Sequence, residues 1–285
     1  MTIEEFRNTL IEEINERIDG EYELTVNDVI KNNGVKLHGI CFKMKGRNIS
    51  PTVYADGYYD KFKAGETLES LAERVISNAR SAEIKDDIDA EFYTDFEKVK
   101  SKLYVRLVNT ERNEELLSQI PSRKFLDLSM VVYCDVSDMC RMDATILVRN
   151  EHMDRWKADA DELIDIAYEN TKNIGCTISD MTDLIPAKEL EGVMFVMSNI
   201  KSLYGAVCLT FDDKLDELCE RHEGGVYIIP SSIHEVILIP ERMMTREEVC
   251  LNEMINSVNR ECLDEGEILS DHAYYYSPFE GYLSV

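Results

Sequence analysis

At 285 residues the chain suits one large domain or two modest ones, and it is long enough to bury a sizeable core. Its composition, 44% hydrophobic and 31% charged, is globular and excludes a disordered chain. With 56 acidic residues against 31 basic ones the formal net charge is −25, a field that repels phosphate backbones and anionic lipid and argues against direct nucleic-acid or membrane-surface binding.

Met1-Thr2-Ile3-Glu4-Glu5-Phe6 opens a helix rather than a signal peptide. Thr2 and Glu5 form a capping box, and Phe6, Leu10, Ile14 and Ile18 recur at helical spacing up to Asp19-Gly20. Residues 22–30 and 35–44 read as a hairpin turned by Asn32-Asn33-Gly34, because Asn-Gly tolerates positive φ. An extended piece runs from Ile49 to Tyr54, and a second helix starts near Thr67 with Leu68, Leu71, Val75 and Ile76 on one face. The acidic run Glu83 to Glu91 marks a soft boundary. We therefore expect an N-terminal α+β domain over 1–97 (helix, hairpin, helix) and a C-terminal α+β domain over 98–285.

In the second part, Leu103 to Val108 is a strand and Thr110 to Leu117 a short helix. Phe125 to Val136 and Met142 to Arg149 are expected to pair antiparallel around Ser137-Asp138. Asp154 to Asn173 reads as one patterned helix, with Trp156, Leu163, Ile166, Ala167 and Ile174 inward. Gly192 to Ile200 is a strand, and Ala206 to His222 a helix closed by Gly224-Gly225. Val226 to Ile229 and Val236 to Ile239 flank Pro230-Ser231-Ser232-Ile233-His234-Glu235 as a hairpin with a tight turn. A last helix runs from Thr245 to about Arg260, again with a T-x-x-E start (Thr245, Glu248). The aromatic tail Ala273 to Phe279 is expected to strap back onto its own domain. Strand, strand, helix recurs, so the fold class is α+β with a mainly antiparallel sheet and helices packed on it.

The chemistry-bearing words are sparse. No C-x-x-C pair occurs among the eight cysteines, which leaves a zinc ribbon or thioredoxin-type centre without support. Val207-Cys208-Leu209 and Ile40-Cys41-Phe42 place thiols in apolar stretches, and Cys134 and Cys140, the closest pair, are expected to flank a hairpin loop and stay reduced. Apolar runs such as Gly192 to Met197 fall short of a membrane span, so a cytoplasmic protein is expected. No G-x-G-x-x-G or Walker-type lysine follows a strand, and no cofactor is expected.

Three histidine clusters stand at element ends: Arg149-Asn150-Glu151-His152, Ser232-Ile233-His234-Glu235 and Ser270-Asp271-His272. His152, His234 and His272 are the weak candidates for a metal site, which needs several imidazoles or carboxylates converging on one point. Candidate catalytic residues are Ser232, His234, Glu235, Asp271 and His272, with Arg149 as an anion contact. Against this, G-x-S-x-G is missing, and three consecutive residues cannot form a triad by themselves. The structural alternative is that the serines satisfy a turn, Asp271 caps one, and His234 bonds across the sheet. Likewise Arg149-Asn150-Glu151-His152 suits the start of the Trp156 helix.

At these words the chain resembles a bacterial family of unknown function found in clostridial-type genomes. The matching phrases are Tyr104-Val105-Arg106-Leu107-Val108-Asn109, Phe125-Leu126-Asp127-Leu128, Ile146 to His152, Leu203-Tyr204-Gly205-Ala206, Pro230 to Val236 and Leu269-Ser270-Asp271-His272. They span about residues 100–276, and the first hundred residues match less distinctly. The resemblance implies a shared fold and carries over no catalytic residue.

The functional expectation is a cytosolic, non-enzymatic module that binds another protein, a basic one being the kind its field attracts. The alternatives are a hydrolase or metal-dependent enzyme built on the His234/Glu235 and Asp271/His272 clusters, and an acidic nucleic-acid mimic that binds a basic protein. Oligomeric state is not legible in the sequence. The structural question is whether Ser270-Asp271-His272 meets the Pro230–Glu235 connection.

Overall fold

A computed structural model of the chain describes residues 1–46, 50–82, 94–140, 144–230, 232–244 and 251–284. The fold is α+β, with antiparallel strands throughout and helices on the sheets. Two compact units account for it: Met1–Lys31 and Val35–Tyr93 with Asp138–Met142, and Asn32–Gly34 with Thr94–Ser137 and Asp143–Val285. Among the described residues no helix is long and apolar enough to cross a membrane.

In the first unit α1 (Ile3–Asn15) begins at the expected capping box: Thr2 Oγ1 accepts the Glu5 N–H, and Glu5 Oε2 accepts the Thr2 N–H. Its stripe of Phe6, Leu10 and Ile14 is fully buried and packs with α3 (Leu68–Ser81), which is capped by Thr67. Both helices cover a sheet of β1 (Glu23–Ile30), β2 (Lys36–Lys43) and β3 (Thr52–Tyr54), in that order. The link between β1 and β2, Asn32–Gly34, which belongs to the second unit, is a single 3-10 turn with Asn33 at φ +60° and Gly34 at +71°. Sequence periodicity missed α2 (Asp56–Lys63), whose N-cap residue, Ala55, offers no side-chain signal. Tyr59 and Phe62 of α2 close over Phe6, with ring centroids 5.4 and 5.2 Å away. Ile49 and the run Glu83 to Glu91 lie outside the described residues.

The second unit carries two sheets. In one, β6 (Leu128–Asp135) pairs on one edge with β4 (Leu103–Asn109) and on the other with β5 (Ser122–Phe125) and β7 (Thr145–Leu147). The expected single strand Phe125 to Val136 is thus two strands: Leu126, at φ +57°, and Asp127 turn β5 into β6. The expected pairing around Ser137-Asp138 is present between β6 and β7, although Met142 lies outside the described residues.

The expected long helix from Asp154 is also two, α4 (Asn150–Trp156) and α5 (Ala160–Ile174). Lys157 ends the first in the left-handed region, and Asp159 caps the second by accepting the Asp161 and Glu162 N–H groups. α5 lays Leu163 and Ala167 on the buried face of β4, where Thr171 Oγ1 accepts the Val105 N–H at 2.9 Å.

The other sheet has the order β13-β12-β10-β11-β9-β8, with β8 (Cys176–Asp180), β9 (Phe195–Asn199), β10 (Val226–Ile229), β11 (Val236–Pro240), β12 (Tyr274–Ser277) and β13 (Gly281–Ser284). Residues Gly205–Thr210 form a 3-10 turn, and α6 (Asp212–His222) starts only after Phe211, so the expected helix from Ala206 is broken there. α7 (Leu251–Cys262) places Leu251 and Ile255 against Ile229, Ile239 and Ala273; the expected Thr245/Glu248 start lies outside the described residues.

The tail does strap back, as strand β12. Tyr274, Tyr275 and Tyr276 donate their hydroxyls to Asp127, Glu241 and Asp216. Cys134 is buried, and the Cys140 side chain lies outside the described residues.

Candidate functional site

The β10–β11 connection is not a tight turn. Pro230–Glu235 forms its own short ladder with the segment preceding β12: the Ile233 N–H donates to the Glu267 carbonyl at 2.9 Å, the Ser270 N–H donates to the Pro230 carbonyl at 3.0 Å, and Ser232 bridges Ile268. The backbone of Ser270 therefore does meet the His234 loop. Ser232, buried, accepts the His234 N–H on Oγ at 3.0 Å, and Ser231 lies outside the described residues.

On its other side the loop rests on Leu203-Tyr204-Gly205. Ser198 Oγ donates to the His234 carbonyl at 2.8 Å, and the Ala206 N–H donates to the Ile233 carbonyl. A Cβ on Gly205 would fall 2.0 Å from Ser198 Oγ and 2.6 Å from the His234 carbonyl oxygen, so only glycine admits this approach.

Side chains of the same phrases gather around Tyr204. The Tyr204 N–H donates to His234 Nδ1 at 3.2 Å, and the two rings stack at 5.5 Å with 15° between planes. That acceptor role leaves Nε2 to carry the proton of the neutral imidazole; it faces Glu267 at 3.8 Å. β4 alternates Leu103, Val105 and Leu107 toward the core, which sets Tyr104 and Arg106 together on the other face. The Arg106 guanidinium lies 4.6 Å from the Tyr204 ring centre.

Tyr133, paired in register with Tyr104, meets Tyr204 edge-on at 5.0 Å, and burial pushes its phenol well above the ordinary value. Lys201 covers Tyr104 and pairs with Asp135 at 3.0 Å. Burial acts to raise Asp135, but hydrogen bonds from Ser137 and the Lys201 ammonium outweigh it and hold the carboxyl low. Arg106 stands apart: among the described residues it has no carboxylate or hydrogen-bond acceptor, and its Nε is buried without a partner.

The Ser270-Asp271-His272 phrase enters a second, closed cluster. Asp271 accepts Arg112 through both oxygens at 2.8 Å, and Asn259 donates to the Ser270 carbonyl at 2.9 Å. A net of asparagines that sequence reading passed over holds this segment in place. Asn109 donates to the Leu269 carbonyl, and Asn33 donates to the Glu265 and Ile268 carbonyls at 2.7 Å each. Asn113, 1% exposed, exchanges hydrogen bonds with Asn33 and donates to the Asn109 carbonyl. In the sequence Asn33 reads as part of a turn and Asn109 as the end of a matching phrase, and neither reading points to this net.

His272 stands between Asp127, 3.7 Å from Nε2, and Ser270 Oγ, 3.3 Å from Nδ1; Tyr274 also donates to Asp127. Asp, His and Ser thus occur in line. Ser270, however, has no exposed surface, and its Oγ also lies 3.4 Å from the N–H and carbonyl of His272 in a local turn.

The remaining candidates lie elsewhere. His152 Nδ1 accepts the Arg149 N–H at 3.0 Å as a cap of α4, its ring is 5.8 Å from Trp156, and burial lowers its pKa. Arg149 reaches Gln119 Oε1 at 2.9 Å. Glu235 is half-buried and enters none of these contacts. Among the described residues no three His, Cys, Asp or Glu side chains gather closely enough to hold a metal ion.

No curated protein and no solved structure matches the chain. A family model, described as a family of unknown function, does match, and it extends through the N-terminal hundred residues, well beyond the span of the phrases quoted above. With residues 3–278 matched, the chain belongs to that family, DUF5688.

Proposed function

We propose that the protein acts by binding another protein through the face formed by Tyr104, Arg106, Tyr204 and His234. The observation that carries this reading is Arg106. In a chain of net charge −25, a half-buried guanidinium stacked on a tyrosine has no acceptor among the described residues. Leaving such donors unmet is costly, and a partner's carboxylate would satisfy the planar fork bidentately. Tyrosine and arginine are also enriched among the residues that dominate binding energy at protein interfaces, tyrosine through a large rigid ring and arginine through its planar fork of donors.

The overall acidic field would steer a partner that is basic on the whole, while Arg106 takes one acidic group from it. The same proposal keeps the cytoplasmic location expected from the sequence. A serine-based enzyme gains no comparable support, because Ser270 is fully buried and Ser232 spends its oxygen on the His234 N–H.

The test is parallel capture from a lysate of the source cells on immobilised wild type, R106A, R106K and K188A, the last removing an exposed cation elsewhere. A partner retained by wild type and K188A should be lost at least about tenfold by R106A, and R106K should restore only part of it, since lysine keeps the charge without the fork. Identical capture by all four proteins would sink the reading.

A further inference from the structure

Among the described residues β1 is an edge of its sheet, bonded to β2 along one side. Which of its backbone groups face outward follows from the strands beyond it. The Phe42 N–H donates to the Pro51 carbonyl and the Ala55 N–H to the His38 carbonyl, so the even-numbered residues of β2 bond toward β3. The odd-numbered ones then bond toward β1, where the register sets Cys41 opposite Thr25 and Gly39 opposite Asn27. Leu24, Val26, Asp28 and Ile30 therefore turn their N–H and C=O groups to the open side.

This edge lacks the usual devices that blunt one. Its eight residues pair with β2 without a bulge and contain neither proline nor lysine. Val26 stands opposite the fully buried Ile40, yet it is itself 49% exposed. Asp28, the one charge among the outward-bonding residues, is already met by Arg7.

We propose that β1 is a dimerisation edge, to which a second copy of this chain adds its own β1 antiparallel, so that two three-stranded sheets become one. The strand complements its own reverse in a single register. A two-fold axis through the sheet requires facing residues to lie on the same side of it, so only even sums of residue numbers are allowed across the pair. With the axis at Asn27, Leu24 faces the partner's Ile30, Thr25 faces the partner's Val29, and Glu23 faces the partner's Lys31. Glu23 and Lys31 are both exposed and form no ion pair among the described residues; the Lys31 ammonium rests over the Tyr54 ring at 5.4 Å. Val26 comes diagonal to the partner's Val26, which covers the exposed side chain. Moving the axis to Val26 sets Leu24 against the partner's Asp28, and moving it to Asp28 sets two carboxylates face to face. In the favoured register the outward residues of the two copies exchange about eight backbone hydrogen bonds.

The experiment is sedimentation velocity on the purified full chain from about 1 to 300 µM, the range in which modest interfaces assemble, with amide exchange followed at both ends of it. Wild type should pass from monomer to dimer. The Val26 and Asp28 amides should exchange quickly when dilute and slow as the dimer forms, while those of Thr25 and Asn27, bonded to β2, stay protected throughout. V26P removes an outward N–H without touching a bond to β2, and it should abolish the dimer. E23K and K31E each place like charges opposite one another at two symmetric positions, so each should weaken dimerisation about tenfold, and the double variant E23K/K31E should restore it. A wild type that stays monomeric across the range overturns the proposal. A dimer whose Val26 and Asp28 amides stay fast, or one that V26P leaves intact, is built elsewhere and overturns it too. So does a double variant as weak as the single ones, a result that stands even if V26P does not fold.

Discussion

Arg106 and Arg112 belong to one short stretch, β4 and the turn after it, yet the fold treats them oppositely. Arg112 donates to both oxygens of Asp271, and its backbone N–H is held by Asn109. Arg106 lies on Tyr204 with no acceptor among the described residues. A cation whose donors are filled from within contributes to the shape of a loop; one whose donors are left open has capacity for something outside. The difference separates the two clusters that the family phrases build. The Asp271–His272 cluster is a closed scaffold, and the Tyr204–His234 cluster presents a face.

The sharpest way to break this contrast is at the shared support. G205A would drive a Cβ into Ser198 and the backbone of Asn199 and His234, and it should cost about 3 kcal/mol by urea unfolding while displacing both Tyr204 and His234. Next is N113A, which strips the Asn33 N–H, the Asn33 Oδ1 and the Asn109 carbonyl of a buried partner. Its expected cost is about 2 kcal/mol, with fast amide exchange appearing along 265–270. If N113A unfolds at the wild-type midpoint, the asparagine net is not what holds the segment.

The paired test follows. R112A should lower stability by about 1 kcal/mol, because Arg112 and Asp271 are both partly exposed and the pair is only partly desolvated. R106A should stay within about 0.5 kcal/mol of wild type, since it breaks no hydrogen bond among the described residues and removes only a stacking contact. Equal losses in the two variants would erase the distinction between the arginines.

What the sequence made legible follows from what each element depends on. The capping box of α1, the Asn33-Gly34 turn, the strands β10 and β11 and the strapped tail rest on local signals, and each is present. Two of the misread places share a cause. Leu126 and Lys157 adopt positive φ without being glycine and split a strand and a helix, and Tyr204 does the same where it seats the His234 ring. Nothing in a leucine, lysine or tyrosine announces that conformation; neighbouring segments impose it. The histidine words lie in loops where distant segments meet. They did not reveal Arg106, which reads as one more polar position in an alternating strand, nor the asparagines, whose partners lie far along the chain.

The smallest effect tests the face from beneath. Tyr133 lies against Tyr204, and burial raises its phenol above the ordinary value near 10, with Arg106 only partly opposing that rise. A group whose folded pKa is raised contributes stability that is complete below the unfolded value and is lost as pH climbs from there toward the folded one. Wild type should therefore lose stability above about pH 10. Y133F should lose less over the same interval, and it should lack one late-titrating phenol in the ultraviolet difference spectrum. R106A removes a cation that opposes the rise, so it should move that late phenol still later without changing the titration of the exposed tyrosines. If R106A leaves the late phenol where it was, Arg106 does not sense the ring beneath it, and its place in the face would have to be redrawn.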